Sequence, residues 1–494
     1  MLMKSLTLNA PLNHNGSETQ PNPVRAEQVN IYEEYKKLTL YIPENFDIDK
    51  LVKISPPDFK YHRDCFIYLV HLIIDIPSRN KDSEMDYIPF YSALIQRRVR
   101  NYRDYLNYLV KQGVFLENKQ YIVGKQSRSF KFTAEYDTII KPVFITKRTL
   151  IKSILNFINI DISPFNLGIT TNEESLLGNK KQELEYLLKW FNKDLTIDYL
   201  GAKEYLEDLY ELESTGYITK AIAMRKFNSR YIVLLKLHRM EFSSTIDCTA
   251  GRLHTVLTQL KGELRQFIRF NGRSLIAVDI TNSQPYLSTV LLNLEKYREN
   301  NILPLIQIYN KSYTNPNTYK SQPYYLSKKI ENAKDSANVK TYIEYVKSGQ
   351  LYEEFGKILL ENGIITDENS MRKQAKNIIF SSIFSPNQCI SYNEAMQIFK
   401  GNFPEVYEIY RAIKQSEHRT LACILQNLEA QLILHTACKI ISEEKPEIPL
   451  FTLHDSIITT EGNEEYVYGI LFEILLYAIG IPPTLKFEKW EKVA

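Results

Sequence analysis

The sequence lacks the features of a secreted or membrane-embedded protein. Its five cysteines are scattered, odd in number and without paired spacing, so neither a disulfide framework nor a structural zinc site is expected. No apolar run approaches the ~20 residues of a membrane span. The N-terminal segment MLMKSLTLNAPLNHNG has no long apolar core, so no signal peptide is expected. We therefore predict a cytoplasmic protein without membrane partners.

The chain also lacks a strong charge of either sign. It has 61 Lys and Arg against 58 Asp and Glu, a net charge of +3, so any nucleic-acid binding must come from local basic patches. No internal repeat is evident. The length of 494 residues allows about three domains. A hydrophobic content of 44% supports large cores and argues against wholesale disorder.

One short segment, MRKQAKNIIFSSIF, spaces cations and aromatic rings by four residues: Arg372, Lys376, Phe380 and Phe384. On an α-helix they form one nearly straight stripe, with the cations at one end and the rings at the other. The stripe suits a nucleoside triphosphate, because the cations would meet the phosphates while a ring meets the sugar and base. Such spacing is also common on ordinary amphipathic helices, so the stripe alone leaves both interpretations open.

Two aspartates lie in hydrophobic segments on either side of this helix in the sequence. Asp279 ends the apolar run 275–278 in SLIAVDITNSQPYL, which predicts a buried strand. Asp455 lies in PLFTLHDSIITT, where we predict a short strand with the acid near its middle. An acid so surrounded is costly to bury unless it is paired or bound to a metal. Taken singly, each aspartate also fits a turn or an edge strand.

Together, two acids on two hydrophobic strands, with the cation–aromatic helix between them in sequence, predict phosphoryl-transfer chemistry. Two carboxylates can hold two divalent ions ~3.5–4 Å apart, which activate an attacking hydroxyl and stabilise the leaving oxygen. Mg²⁺ is the natural ion, because it favours carboxylate, water and phosphate oxygens. We expect two Mg²⁺ ions, with Mn²⁺ as a substitute.

The order of these motifs resembles the palm and fingers of family A DNA polymerases and of the related single-subunit phage-type RNA polymerases. The resemblance runs roughly from Thr249 to the C-terminus, about half of the chain. TAGRLHT is similar to the family's TGRLSS-type segment, with one inserted residue. Asp279 matches the motif A metal ligand, the helix stripe matches motif B without a gap, and His454-Asp455 matches motif C. FKGNFPEVYEIY and ACILQNLEAQLIL resemble the aromatic-Pro segment and the Gln-bearing helix that reads the minor groove.

This resemblance implies in-line nucleotidyl transfer by a two-metal mechanism. The metal ligands would be Asp279, Asp455 and the carbonyl of Ile280. Lys376 would neutralise the triphosphate and protonate the pyrophosphate leaving group, with Arg372 on the outer phosphates.

The same resemblance implies how the nucleotide and the primer are held. Phe380 would pack on the incoming sugar, Phe384 would lie near the templating base, and Gln284 would stand at the sugar 2′ position. The implied primer–template contacts are Thr249, Arg252, Gln426 and His454.

Departures from the family pattern leave the choice of sugar open. Gln284 replaces a Glu that usually crowds the 2′ position, Tyr286 replaces an Arg, and motif B ends in Phe384-Ser385. Motif C reads HDS, which leans toward the RNA polymerases, whereas a bulky residue at the gate favours deoxynucleotides. We predict a DNA polymerase. The alternatives are an RNA polymerase or primase-like enzyme on the same palm, and a catalytically inactive nucleic-acid-binding replication protein. DNA and RNA templates both stay open.

The segment YSALIQRRVRNYRDYLNYLVKQGVF predicts one helix, and QYIVGKQSRSFKFT predicts a basic hairpin after it. This outline is typical of a winged-helix domain that contacts DNA phosphates. A solvated basic helix in a protein–protein module is an equally good interpretation. The predicted DNA-docking residues are Arg97, Arg98, Arg100 and Arg103 on the helix, with Lys125 and Arg128 on the hairpin.

The predicted fold is α+β and multidomain: a right-hand polymerase with an antiparallel palm sheet, helical fingers and a helical thumb, preceded by the winged-helix-like domain. We expect a flexible tail at 1–28, the docking domain at 29–148, a thumb-like region at 149–245, and palm and fingers at 246–494. The fingers would span about 296–400, including the Tyr- and Lys-rich tract NKSYTNPNTYKSQPYY. No proofreading exonuclease is expected, because the segment before the palm is too short and lacks an acidic trio. By analogy, a bacterial, phage or plasmid setting fits such an enzyme.

Overall fold

A computed structural model describes residues 37–79, 86–118, 127–158, 183–216, 219–247, 249–300, 302, 322–415 and 417–491. The tail expected at 1–28, Lys125 and most of the Tyr- and Lys-rich tract lie outside these residues. The described chain is mixed α/β, with helices in the majority and antiparallel strand pairing throughout. None of the helices in these ranges is both long and apolar enough to cross a membrane.

The first region, up to residue 158, alternates strands and helices. Its elements are β1 (Leu38–Pro43), α1 (Ile48–Ile54), α2 (Arg63–Arg79), β2 (Ile88–Pro89), α3 (Ser92–Arg98), α4 (Tyr102–Lys111), β3 (Phe115–Asn118), β4 (Ser129–Phe132), β5 (Ile140–Ile145) and α5 (Arg148–Ile158). β1 pairs antiparallel with β5, while β2, β4 and β3 form an antiparallel sheet in that order. Helix α2 is buried along most of its length, so it is the central helix of this region.

The prediction of a single basic helix over this segment is wrong, because α3 ends at Arg98 and a separate helix, α4, begins at Tyr102. Val99 adopts an extended conformation (φ −131°, ψ 97°) and is 2% exposed, so burying its side chain turns the backbone out of the helix. The four arginines therefore do not share one helical face. Arg97, Arg100 and Arg103 are exposed, whereas the Arg98 guanidinium donates to the Tyr68 hydroxyl at 2.6 Å.

The second region, residues 185–270, is mostly helical. Its elements are α6 (Glu185–Leu188), β6 (Leu195–Ile197), α7 (Tyr199–Thr215), α8 (Lys220–His238), β7 (Ser244–Ile246), β8 (Leu253–Thr255), α9 (Val256–Gln259) and β9 (Ile268–Phe270). α7 ends at Thr215, and Gly216 is its C-cap residue. α8 packs against both α7 and α2, so this region shares a hydrophobic core with the first.

The rest of the chain builds a helical layer and a four-stranded sheet. Its elements are β10 (Leu275–Ile280), α10 (Ser283–Ser288), α11 (Leu294–Glu299), α12 (Gln322–Ala333), α13 (Ala337–Lys347), α14 (Leu351–Glu361), α15 (Glu368–Phe384), α16 (Glu394–Asn402), α17 (Pro404–Ile413), α18 (Thr420–Ala430), α19 (Lys439–Glu444), β11 (Phe451–Leu453), β12 (Ser456–Thr460), α20 (Glu464–Ile479) and β13 (Leu485–Lys489). A π-helical stretch, Gln431–Cys438, joins α18 to α19.

The four-stranded sheet is antiparallel, with the strand order β11-β12-β10-β13. Successive side chains of a strand point to opposite faces, and β10 uses both faces. Leu275 and Ala277 belong to the core shared by the first two regions, while Val278 and Ile280 belong to the core of the helical layer. A strand buried on both sides reads as a continuous apolar run, which explains why its sequence signal is strong.

Candidate active site

Asp279 lies near the end of β10, in the middle of the four-stranded sheet. Its register partners are Ser456 on β12 and Lys486 on β13. The four residues before it are buried, whereas Asp279 is partly exposed. The strand therefore carries the carboxylate out of the hydrophobic core to a surface that a ligand can reach.

Asp455 lies in the tight turn between β11 and β12, so the prediction of a strand residue is wrong. His454 adopts a left-handed conformation (φ 52°), which reverses the chain and makes the segment a hairpin. The turn packs against the end of β10, where the Ile280 amide donates to the Asp455 carbonyl at 3.3 Å. The Ser283 hydroxyl donates to Asp455 Oδ2 at 2.6 Å and so orients the carboxylate.

Asp455 lies close enough to Asp279 to affect its charge. Burial and the neighbouring Asp455 together raise the pKa of Asp279 to about 6. Lys486 opposes both effects, with its Nζ 3.2 Å from Asp279 Oδ2. A raised carboxyl pKa beside a second acid indicates a site where additional positive charge is stabilising.

This oxygen donor set fits a hard divalent cation. The pair offers two carboxylates, with the backbone of Ile280 beside them. Among the described residues, no cluster of three or more His, Cys, Asp or Glu side chains is arranged as a complete metal site. Mg²⁺ needs no such cluster, because it keeps several waters and binds through one or two carboxylates plus substrate phosphates.

A third carboxylate, Glu429 on α18, was not anticipated from the sequence. It is 1% exposed and pairs with Arg252, whose Nη2 lies 2.8 Å from its Oε1. Gln284 Nε2 donates to its Oε2 at 2.6 Å. Burial raises the pKa of Glu429 to about 7, with Asp455 adding to the shift and Arg252 opposing it. The only sequence signal was an acid inside the apolar helix ACILQNLEAQLIL.

A compact loop brings Arg252 to α18. The Asp247 carboxylate accepts hydrogen bonds from the backbone amides of Thr249 and Ala250, at 2.7 and 3.2 Å. Gly251 has a φ of +73°, and a Cβ built on it would lie 4.0 Å from Ala430, so the loop packs closely on the helix. The TAGR segment thus sets one arginine against a buried acid.

The stripe of α15 lies on the accessible face of its helix. Arg372 and Lys376 are exposed and Phe380 and Phe384 are half-buried, while the opposite face packs into the core. The two rings touch, with centroids 5.5 Å apart, and Lys376 Nζ lies 5.4 Å from the Phe380 centroid. Arg372 Nε is 2.5 Å from Glu353 Oε1 on α14.

Tyr352 on α14 links this stripe to the acidic pair. Its ring lies under the Arg372 guanidinium at 5.5 Å and beside Phe380 at 6.4 Å. Burial raises the pKa of its phenol, with Arg372 lowering it and Asp455 raising it. The hydroxyl is therefore within electrostatic reach of both the cationic stripe and the acids.

Lys414 on α17 holds the end of α15. Its Nζ donates to the backbone carbonyls of Ser382 and Ser385, at 2.7 and 3.0 Å. The residue is 2% exposed, and burial lowers its pKa to about 8. The carbonyls at a helix C-terminus lack intrahelical donors, so a buried ammonium there fixes where the helix stops.

The remaining predicted residues separate into two groups. His454 lies beside His254, with ring centroids 5.5 Å apart, and Gln426 is on α18 one turn before Glu429. The predicted DNA-docking arginines lie on the first region of the chain. There Arg128 pairs with Glu117 at 2.6 Å instead of extending a basic surface. Arg97, Arg100 and Arg103 are the exposed members.

Comparisons with known proteins gave one type of match. No protein-family model matches the chain, and no curated protein matches it. Among solved structures, the chain is similar to the POL domain of Pol1 from M. smegmatis, in complex with DNA primer-template and dNTP. The two share 11% sequence identity with a TM-score of 0.42, over 69% of this chain and 73% of that one. Similarity at this level does not assign the chain to a family.

Proposed function

We propose that this chain is a divalent-metal-dependent nucleotidyltransferase that extends a nucleic-acid primer along a template with deoxynucleoside triphosphates. The proposal is carried by the position of Asp455 beside Asp279: Asp279 pairs with Ser456, the next residue after Asp455, and the Ile280 amide donates to the Asp455 carbonyl at 3.3 Å. Tyr352 lies under Arg372 and within electrostatic reach of Asp455. Paired carboxylates can bind divalent cations, and the exposed Arg372 and Lys376 on α15 can bind phosphates.

In this proposal Asp279 and Asp455 hold two Mg²⁺ ions, with the Ile280 carbonyl as a further ligand. When bound, the ions would activate an attacking hydroxyl and stabilise the charge on the leaving oxygen. Ser283 would keep the Asp455 carboxylate in one orientation through its 2.6 Å hydrogen bond. The other tasks fall to side chains that bind and orient the substrates.

The helix α15 would bind the triphosphate. Arg372 offers a planar fork to the outer phosphates, and Lys376 offers a mobile ammonium that can donate a proton to the departing pyrophosphate. Phe380 would pack on the sugar and Phe384 near the templating base. Because one helix carries all four groups, their spacing is fixed before substrate binds, which favours catalysis by positioning.

The opposite side of the site would bind the primer end. Thr249 and Arg252 sit on the loop that packs on α18, Gln426 lies on that helix, and His454 is in the hairpin turn. Gln284, held by Glu429, would contact the sugar of the incoming nucleotide.

The first region would dock duplex DNA. Its order α2, β2, α3, α4, β3, β4, with the sheet order β2-β4-β3, is consistent with a winged-helix arrangement. Exposed Arg97, Arg100 and Arg103 would contact phosphates without reading sequence. Replacing all three by Ala should weaken duplex binding and reduce its salt dependence, measured by fluorescence anisotropy at several salt concentrations. An unchanged salt slope would contradict this role.

The decisive experiment is primer extension with Mg²⁺ on DNA and RNA templates, with deoxynucleotides and ribonucleotides in separate reactions. Asp279→Asn and Asp455→Asn should each abolish extension without loss of the folded state. Asp208→Asn, an exposed acid on α7, is the matched control and should keep full activity. Near-normal extension by either active-site variant would overturn the proposal. A mismatched primer end should persist, because we propose that the chain lacks an editing exonuclease.

A further inference from the structure

Glu429 is a buried acid whose two hydrogen-bond partners, Arg252 and Gln284, both belong to the proposed site. It lies on α18 among buried apolar neighbours, where an ionised carboxylate is costly unless it is fully paired. Its Oε2 accepts hydrogen bonds from both Arg252 Nη2, at 2.9 Å, and Gln284 Nε2, at 2.6 Å. One carboxylate therefore holds two residues to which we assign different ligands, Arg252 to the primer and Gln284 to the incoming nucleotide.

This bond determines which way the Gln284 amide points. Above its pKa of about 7, Glu429 is ionised and only accepts hydrogen bonds, so the NH₂ group of Gln284, which lies 2.6 Å from its Oε2, faces Glu429 and the carbonyl oxygen faces away. The Gln284 side chain is buried, at 7% exposure. Within the described part of the chain, its Oε1 accepts no hydrogen bond from the protein. A buried acceptor without a donor is costly in a folded protein, which makes this atom a candidate for ligand contact.

We propose that Glu429 is a positioning residue that fixes Gln284 so that its Oε1 accepts a hydrogen bond from a sugar hydroxyl of the bound nucleotide. The inference rests on the proposed function, because it takes the ligand at this site to be a nucleotide. The chemistry required is a hydroxyl donor, which the 3′ position supplies in both sugars and the 2′ position only in ribose. Arg252 acts from the other side by keeping Glu429 charged.

The test is nucleotide affinity with and without each hydroxyl. Comparing deoxynucleotides with dideoxynucleotides measures the contribution of the 3′ hydroxyl. Comparing ribonucleotides with deoxynucleotides measures the contribution of the 2′ hydroxyl. One net hydrogen bond corresponds to about a two- to tenfold preference for the hydroxyl-bearing nucleotide. Affinities are measured as the KM for extension, and independently as the thermal shift caused by each nucleotide with Mg²⁺.

Two variants at the site separate a positioning role from a structural one. Glu429→Gln presents both a donor and an acceptor, so it no longer fixes the Gln284 amide. It should bring the hydroxyl preference close to one through KM, with little change in kcat. Gln284→Leu should reduce the same preference. Glu213→Gln is the control, because Arg230 holds its two oxygens at 3.0 Å each in another part of the protein.

The outcomes separate this inference from the proposed function. Extension with a wild-type preference in Glu429→Gln would overturn the inference alone. Nucleotide binding without extension would overturn the proposed function, and the thermal-shift ratios would then decide the inference. If no nucleotide binds, or if wild type prefers neither hydroxyl, Gln284 is not a sugar contact and the inference is wrong.

Discussion

Lys486 should compete with the metal ions for Asp279. Its Nζ lies 3.2 Å from Asp279 Oδ2, and its side chain is 56% exposed, so it can leave when a cation arrives. Removing it in Lys486→Met abolishes that competition. We therefore expect the variant to reach half-maximal activity at a lower Mg²⁺ concentration than wild type.

The size of the effect follows from the exposure of the pair. Ion pairs at protein surfaces contribute about 0.2–1 kcal/mol, which corresponds to a factor of about 1.4 to 5 in an equilibrium constant. The Asp279 side chain is 21% exposed, which places this pair in the upper part of that range. We expect a decrease of about three- to fivefold in the half-saturating Mg²⁺ concentration.

The assay must be run well above the pKa of Asp279. Burial and Asp455 raise that pKa to about 6, and Lys486 lowers it, so Lys486→Met raises it further. Near pH 6, protons would then compete with the metal and hide the gain, whereas at pH 8 this competition is weak. The measurement is therefore an Mg²⁺ titration of primer extension at pH 8, with pH 6 as a second condition where the gain shrinks.

Lys489→Met is a closely matched control. Lys489 is on the same strand, is 54% exposed and lies 3.2 Å from a carboxylate oxygen, but that carboxylate belongs to Glu461. Its removal should leave the Mg²⁺ requirement unchanged. If Lys486→Met and Lys489→Met behave alike, or if Lys486→Met needs more Mg²⁺, Asp279 does not bind the metal in the way proposed.

Three further predictions concern single side chains. Ser283→Ala removes the hydrogen bond that orients the Asp455 carboxylate, so kcat for extension should fall about tenfold or more at a temperature where the variant is still folded; loss of a bond that contributes about 1.5–3 kcal/mol with a charged acceptor should also lower the melting temperature. Lys414→Met leaves two carbonyls at the end of α15 without a donor and should destabilise the fold by about 1–3 kcal/mol in urea unfolding; an unchanged midpoint would refute this. Burial lowers the pKa of His71 from 6.5 to about 4, so between these values only the unfolded chain binds the proton. Stability should therefore fall by about 3 kcal/mol as the pH drops through this window, and His71→Gln should lose that dependence in urea titrations at several pH values.

The sequence predicted correctly those features that depend on the pattern within a single helix or strand. The run 275–278 predicted the strand that carries Asp279 near its end, because β10 is buried on both faces and shows no polar alternation. The four-residue spacing predicted the stripe of α15, because a helix converts that spacing into one face regardless of tertiary context. Both inferences depend only on residues within one element.

The errors fall at two turns whose local signals are weak. Asn101 lies in the break between α3 and α4, and Asp455 lies in the hairpin turn, but a single Asn or Asp does not by itself specify a turn. Val99 is buried where α3 ends, and the hairpin turn packs against β10 at the left-handed His454. These tertiary contacts accompany both turns and are not visible in the local sequence.

Glu429 and Tyr352 were not predicted, because their contacts are with residues on other elements of the structure. The Glu429 contacts also explain how the site can remain charged. Arg252 balances Glu429 inside the protein, and the two are 177 residues apart in the sequence. Asp279, in contrast, pairs with the exposed Lys486. Arrival of a divalent ion would release Lys486 and neutralise Asp279 and Asp455, whereas Arg252 would stay, because it is needed to keep Glu429 ionised. The protein thus separates a fixed ion pair, which positions Gln284, from an exchangeable one, which admits the metal.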